Sequence, residues 1–231
     1  MGRAGEHPRA AVGGLTVTVL LDADGVRGWM AGMAKAVDRE RDRLTELDAA
    51  IGDGDHGISL QRGFTAVEAA LSAASAGTPG AVLMLAGRTL VSSVGGASGP
   101  LYGSALRAMG KALADSGGAD AEQVVAGLAA ARDAIAALGG ARGGDKTMLD
   151  AWIPAVDGFD SAVAAGEALQ AAALAAAAAA EGGAEATVPL EARKGRASYL
   201  GPRSVGHLDP GAASTVLLFR ALADAVQVTG G

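Results

Sequence analysis

Alanine, rather than aromatic side chains, has to build the interior of this chain. Half of its 231 residues are hydrophobic but only 3% are aromatic, so Ala, Leu and Val supply most of the available core. Alanine has the best helix propensity and lets helices approach closely, which points to packed helices. The apolar spacing agrees. Over residues 24–43, Val26, Trp29, Met30, Met33 and Val37 recur at intervals of three and four, with Lys35, Arg39 and Asp42 on the opposite face. Core packing is the better reading of that Met and Trp stripe.

Further helices are predicted at 57–74, 81–94, 100–115, 121–138, 146–163, 165–181 and 210–227, eight in one all-α domain. Asp120 followed by Glu122 and Gln123 reads as a capping box, and Val124, Leu128, Ala131, Ile135 and Leu138 line one face behind it. Asp209-Pro210 starts the last helix, Asp as cap and Pro at the first position, where no N–H is needed. Pro154 falls inside a helical pattern, where a kink is expected. Residues 1–14 read as a flexible leader ahead of a domain at 15–231, and the β-branched 15–21 suit an extended start. No sustained strand alternation appears. The 36 glycines therefore belong largely in turns and ligand-contacting loops.

Charge and composition remove several classes of function. The formal charge is -6, and no run of Lys and Arg is dense enough to track a nucleic-acid backbone. The absence of cysteine excludes disulfides, thiolate catalysis and cysteine-ligated zinc. Residues 10–21 follow Arg3 and Arg9 like a secretory segment, but no small-residue cleavage site follows and Asp22 and Asp24 come at once. The alanine run at 168–180 is too short and too weakly apolar to span a bilayer. A cytoplasmic protein without membrane association is expected.

Four glycine-rich segments carry the chemistry. In the first, Asp48, Asp53 and Asp55 fall within eight residues around Gly52 and Gly54, just before a helix. Carboxylates this close repel unless a cation neutralises them, and an all-oxygen set suits a hard ion such as Mg²⁺. A solvated Asp-Gly turn gives the same pattern; a calcium loop lacks its twelfth-position ligand. The second, Ser92 to Gly103, clusters small residues before a helix and can present N–H groups to a phosphate, as a plain helix–helix turn also would. The third, Gly139 to Met148, nearly imitates a Walker A loop, but Asp145 replaces the glycine before Lys146-Thr147 and the preceding segment is helical, so an ordinary P-loop is rejected. The fourth, Ala192 to Gly211, carries Arg193, Lys194, Arg196 and Arg203 on a long loop suited to clamping an anion; an idle basic loop is the alternative.

Together these segments resemble the L subunit of dihydroxyacetone kinase, the DhaL family, from about residue 24 to the C-terminus. The carriers are LD…GD-x-DHG, GGASGP, GDKTM and KGRASYLG-x-RS-x-GH-x-DPGA, in that order. The resemblance implies an eight-helix antiparallel barrel with ADP or ATP and two Mg²⁺ ions held by loops at one end. It implies that Asp48, Asp53 and Asp55 hold the metals, with Asp53, Asp55 and Arg196 as the catalytic set. His56, Gly57, Ile58 and Ser59, together with Ala97, Ser98 and Gly99, would cradle the phosphates. Gly139 and Met148 would border the nucleotide, Met148 against adenine. Arg196 would reach the transferring phosphate, and Asp209, Pro210 and Gly211 would close the site. Ser59 stands where the family often has asparagine, and Gly143 where it has proline.

The same resemblance implies that dihydroxyacetone sits on a partner K subunit. In the phosphotransferase-linked form, ADP stays bound as a coenzyme and a phosphohistidine-bearing M subunit recharges it. Oligomeric state is left open, a homodimer included. Alternatives are an L-type subunit of an ATP-dependent kinase for another small ketose or polyol, an ADP-loaded regulatory protein, and a structural bundle, which leaves the loops unexplained.

Overall fold

The computed structural model describes residues 20–75 and 77–228. The expected leader at 1–14, and all but the end of the extended segment 15–21, lie outside them. Leu21–Asp22 forms a short strand, β1, paired antiparallel with β2 at Gly118–Ala119. The rest of the regular structure is helical: α1 Ala23–Ile51, α2 His56–Ala73, α3 Pro79–Ser93, α4 Ser98–Ala112, α5 Ala121–Gly139, α6 Leu149–Ala164, α7 Leu169–Glu185 and α8 Pro210–Val228. A 3-10 stretch, Arg196–Ser204, precedes α8 and takes up part of the expected loop.

Local chemistry sets the helix starts. Asp22 Oδ1 accepts from Gly25 N at 2.8 Å, and Thr78 Oγ1 accepts from Ala81 N at 3.1 Å ahead of Pro79. Asp120 and Gln123 form the expected reciprocal capping box. Asp209 Oδ2 accepts from Ala212 N at 2.7 Å, with Pro210 at the first helical position. The expected kink at Pro154 does not interrupt α6. Proline there removes the helical donor for the Asp150 carbonyl, and Gly183 of α7 packs so close that a Cβ would collide with that oxygen.

Each helix packs against the next, and α8 packs against α1, so the ring closes on itself. Val26, Trp29, Met30, Met33 and Val37 are all fully buried inside it. Trp29 Nε1 donates to the Leu218 carbonyl at 2.8 Å, fastening the first helix to the last. Alanine does what its abundance suggests: Ala172, Ala173, Ala176 and Ala180 of α7 are inaccessible, tightly apposed to their neighbours. Leu138 departs from its predicted stripe and is exposed, because α5 runs beyond the core to end at Gly139. The turns 52–55, 94–97 and 140–148 and the segment 186–209 gather where α1, α3, α5 and α7 end and α2, α4, α6 and α8 begin.

Candidate functional site

Asp48 anchors the acidic cluster from the last turns of α1, not from a loop as its sequence surroundings suggested. Its Oδ2 accepts from the Asp55 amide at 2.8 Å and from the His56 amide at 3.1 Å. The chain can fold back this sharply because Gly54 has φ +71° and because a Cβ on Gly52 would strike the Asp48 carboxylate. The turn brings one carboxylate oxygen each from Asp48, Asp53 and Asp55 within 4.8 Å of one another. Arg196 Nη2 lies 3.0 Å from Asp53 Oδ2. Burial pushes the Asp55 carboxyl above the usual carboxylate range, the Asp53 and Asp48 charges push it further, and Arg196 pulls it back. Converging hard oxygen donors whose charges oppose one another fit a divalent cation.

His56 ties three helices beside this cluster. Its Nδ1 lies 3.0 Å from Ser98 Oγ of α4 and its Nε2 lies 2.9 Å from Ser214 Oγ of α8. Burial drives its pKa down to about 4, against the Asp48 charge, so the ring is neutral near pH 7. Tyr102 Oη extends the network to Ser214 Oγ at 2.8 Å, and burial pushes that phenol up to about 12.

A cleft runs from the acidic cluster across the end of the barrel. Gly95, Gly96, Ala97 and Ser98 form one edge, and Ile135, Gly139 and Met148 form an apolar end. Lys194, Gly195 and Arg196 lie across it, and Asp209, Pro210 and Gly211 complete the wall from the start of α8. Asp209 is buried, its carboxyl raised to about 7 chiefly by desolvation.

Of the residues singled out in sequence, Gly57, Ile58, Ser59 and Gly99 do not line this cleft. A Cβ on Gly57 would collide with the Arg41 carbonyl, so this glycine permits contact between α1 and α2. Ile58 is 54% exposed, facing away. Ser59 is buried and its N–H donates to the Asp55 carbonyl at 2.8 Å. Gly99 packs under Val94. Conversely, Ile51, Leu101, Tyr102, Ile135 and Lys146 line the cleft without having been marked as ligand contacts. For the apolar ones, a core-facing helical stripe carries no signal that its last member opens onto a site. Lys146 confirms that the Walker-like string is not a phosphate loop, since its Nζ donates to the Thr187 and His207 carbonyls.

A model of the DAK2 domain matches residues 50–224. The chain belongs to the DAK2 domain family. This DAK2 chain is 41% identical over 201 residues to the ADP-binding subunit DhaL of PEP-dependent dihydroxyacetone kinase 1 from Listeria innocua, covering 87% of this chain and 96% of that one. The corresponding Escherichia coli subunit is 39% identical over 199 residues, covering 86% and 95%. D-erythrulose kinase of Mycolicibacterium smegmatis is 42% identical over 229 residues, which is 96% of this DAK2 chain and 40% of that relative. Among solved structures, the dihydroxyacetone kinase of C. freundii in its native form superposes with TM-score 0.67 at 28% identity, over 97% of this chain and 38% of that one. Its complex with AMP-PNP and Mg²⁺ gives TM-score 0.64 at 26% identity. This DAK2 chain thus spans about 40% of the length of those longer kinases.

Proposed function

We propose that this chain is the ADP- and ATP-binding subunit of a cytoplasmic dihydroxyacetone kinase, passing a γ-phosphoryl group to dihydroxyacetone held on a partner K subunit. The carrying observation is the convergence of Asp48, Asp53 and Asp55 beside Arg196 on one cleft. The 41% identity to a protein named as an ADP-binding subunit supports the same reading.

Asp48, Asp53 and Asp55 would hold two Mg²⁺ ions. When bound, Mg²⁺ supplies positive charge against the phosphate oxygens, the main requirement of phosphoryl transfer besides alignment. Asp48 is preset for that duty by two backbone N–H groups, which fix its carboxylate before any ligand arrives. Arg196, already poised against Asp53, brings its guanidinium to the transferring group. The 95–98 turn offers N–H groups to the phosphates, and Met148 with Ile135 and Gly139 gives the base an apolar seat. Neutral His56 locks the start of α2 between Ser98 and Ser214. Docking of the K subunit would exclude water from the cleft.

The name PEP-dependent in the relatives favours ADP as a retained coenzyme, recharged by a phosphohistidine-bearing M subunit. The test is to denature the purified chain and identify what is released. The chain is then combined with a K-type subunit, dihydroxyacetone and either ATP or the phosphohistidine donor. Released ADP, and product formed only with the phosphohistidine donor, support the coenzyme form. No dihydroxyacetone phosphate with either donor overturns the assignment. Identity of 42% to a D-erythrulose kinase supports a second reading, a four-carbon ketose as acceptor. The native K-type partner, offered both ketoses, discriminates the two.

A further inference from the structure

Lys146 is the buried lysine among the described residues, 1% exposed, and it lines the cleft. It is also the non-glycine residue among them with positive φ, at +60°. A side chain holds that left-handed backbone only where its surroundings over-determine it. Here the surroundings are two main-chain carbonyls far away in sequence. Nζ donates to Thr187 O at 2.7 Å and to His207 O at 2.5 Å. The attraction of Asp209 and Asp150 opposes the desolvation of the ammonium.

Both partners belong to turns that shape the cleft. Thr187 Oγ1 accepts from the Asp209 amide at 3.0 Å, and Asp209 in turn caps α8 through Ala212. The Asp145 carbonyl accepts from Arg193 N at 3.0 Å, joining the same loop to the segment that carries Arg196. On the far side of the loop, Met148 meets Gly211 so closely that a Cβ at 211 would lie 3.3 Å from Met148 Cβ. Residues 145–148 therefore touch the turns at Thr187 and His207, the segment that carries Arg196 and the start of α8.

We propose that Lys146 is a positioning residue: its ammonium clasps the 142–148 loop to the turns at Thr187 and His207 and so holds Met148 against Gly211, in the wall that receives the nucleoside. The inference rests on the nucleotide-site reading above. It gives the lysine a role unlike that of a Walker A lysine, because its donors go to carbonyls and not to phosphate. Substitution should harm recognition of the nucleoside and spare the diphosphate seat at Asp48, Asp53 and Asp55.

The test uses the full chain with Mg²⁺ and two probes, ADP and inorganic pyrophosphate, titrated calorimetrically into wild type and Lys146→Met. The expected result is at least a tenfold weaker ADP affinity with pyrophosphate affinity unchanged within twofold. Unchanged ADP affinity overturns the clasp, as does equal weakening of both probes, which marks a general loss of structure. If Lys146→Met does not fold, Lys146→Gln, which keeps an amide donor group but neither the charge nor the length of the lysine, carries the same comparison. A wild-type chain that binds neither probe refutes the nucleotide reading itself, an outcome distinct from failure of the clasp.

Discussion

Arg196 and Asp53 sit 3.0 Å apart with the arginine largely exposed, so the pair is held ready more than it is held together. An arginine that meets charge only as it develops contributes to rate more than to binding. Arg196→Ala should slow transfer by about a thousandfold, within the range for such arginines, and change ADP affinity far less. Single-turnover kinetics beside calorimetry separates the two effects. Asp209 makes a different prediction. Its folded pKa of about 7 lies above the ordinary 3.8, so the folded state holds the extra proton between these values. The stability it confers is complete below about pH 4 and is lost as pH rises through 7. Thermal unfolding of wild type and Asp209→Asn from pH 4 to 8 should show the variant gaining on wild type by several degrees as pH rises. The acidic trio was legible because its members lie within eight residues. The partners of Lys146 were not, since they stand 41 and 61 residues away and are carbonyls, which no sequence distinguishes.

At the level of elements, α1 shows why a readable pattern can stop early. The apolar stripe was followed to residue 43, yet the helix continues to Ile51 with Leu44 and Ile51 buried. The position between them on the buried face is Asp48, and its polarity hides the period where the helix enters the site. The start of α6 erred the other way, because Lys146 at φ +60° cannot belong to a helix that begins at Leu149. The caps at Asp120 and Asp209 were legible because capping is local. Gly57 carries a packing role that its sequence surroundings do not display. Its missing Cβ lets α2 pass against the Arg41 carbonyl and Thr45 of α1. Gly57→Ala should cost roughly 1–3 kcal/mol by forcing two helices apart. Urea unfolding measures that loss, and a cost under 0.5 kcal/mol would show that α1 and α2 can part freely.

Among the described residues, eight α-helices form a closed ring, and closure puts the irregular backbone between them at its ends. That the ring is all-helical follows from alanine and period; the turns at 52–55, 94–97 and 140–148 bring successive helices back at one end, and the longer segment 186–209 makes the last return there. Four segments spread across the sequence from residue 48 to residue 211 thereby meet on one cleft. No helix among the described residues is long and apolar enough to cross a membrane. The proposed nucleotide-holding role rests on the acidic cluster needing a cation to bind a diphosphate. The direct measurement is calorimetric titration of ADP into the nucleotide-stripped chain, with Mg²⁺ or with EDTA, for wild type and for Asp53→Asn. Tight binding with Mg²⁺ that falls at least a hundredfold in EDTA and in the variant is expected. ADP affinity indifferent to both would contradict a metal-bridged nucleotide site.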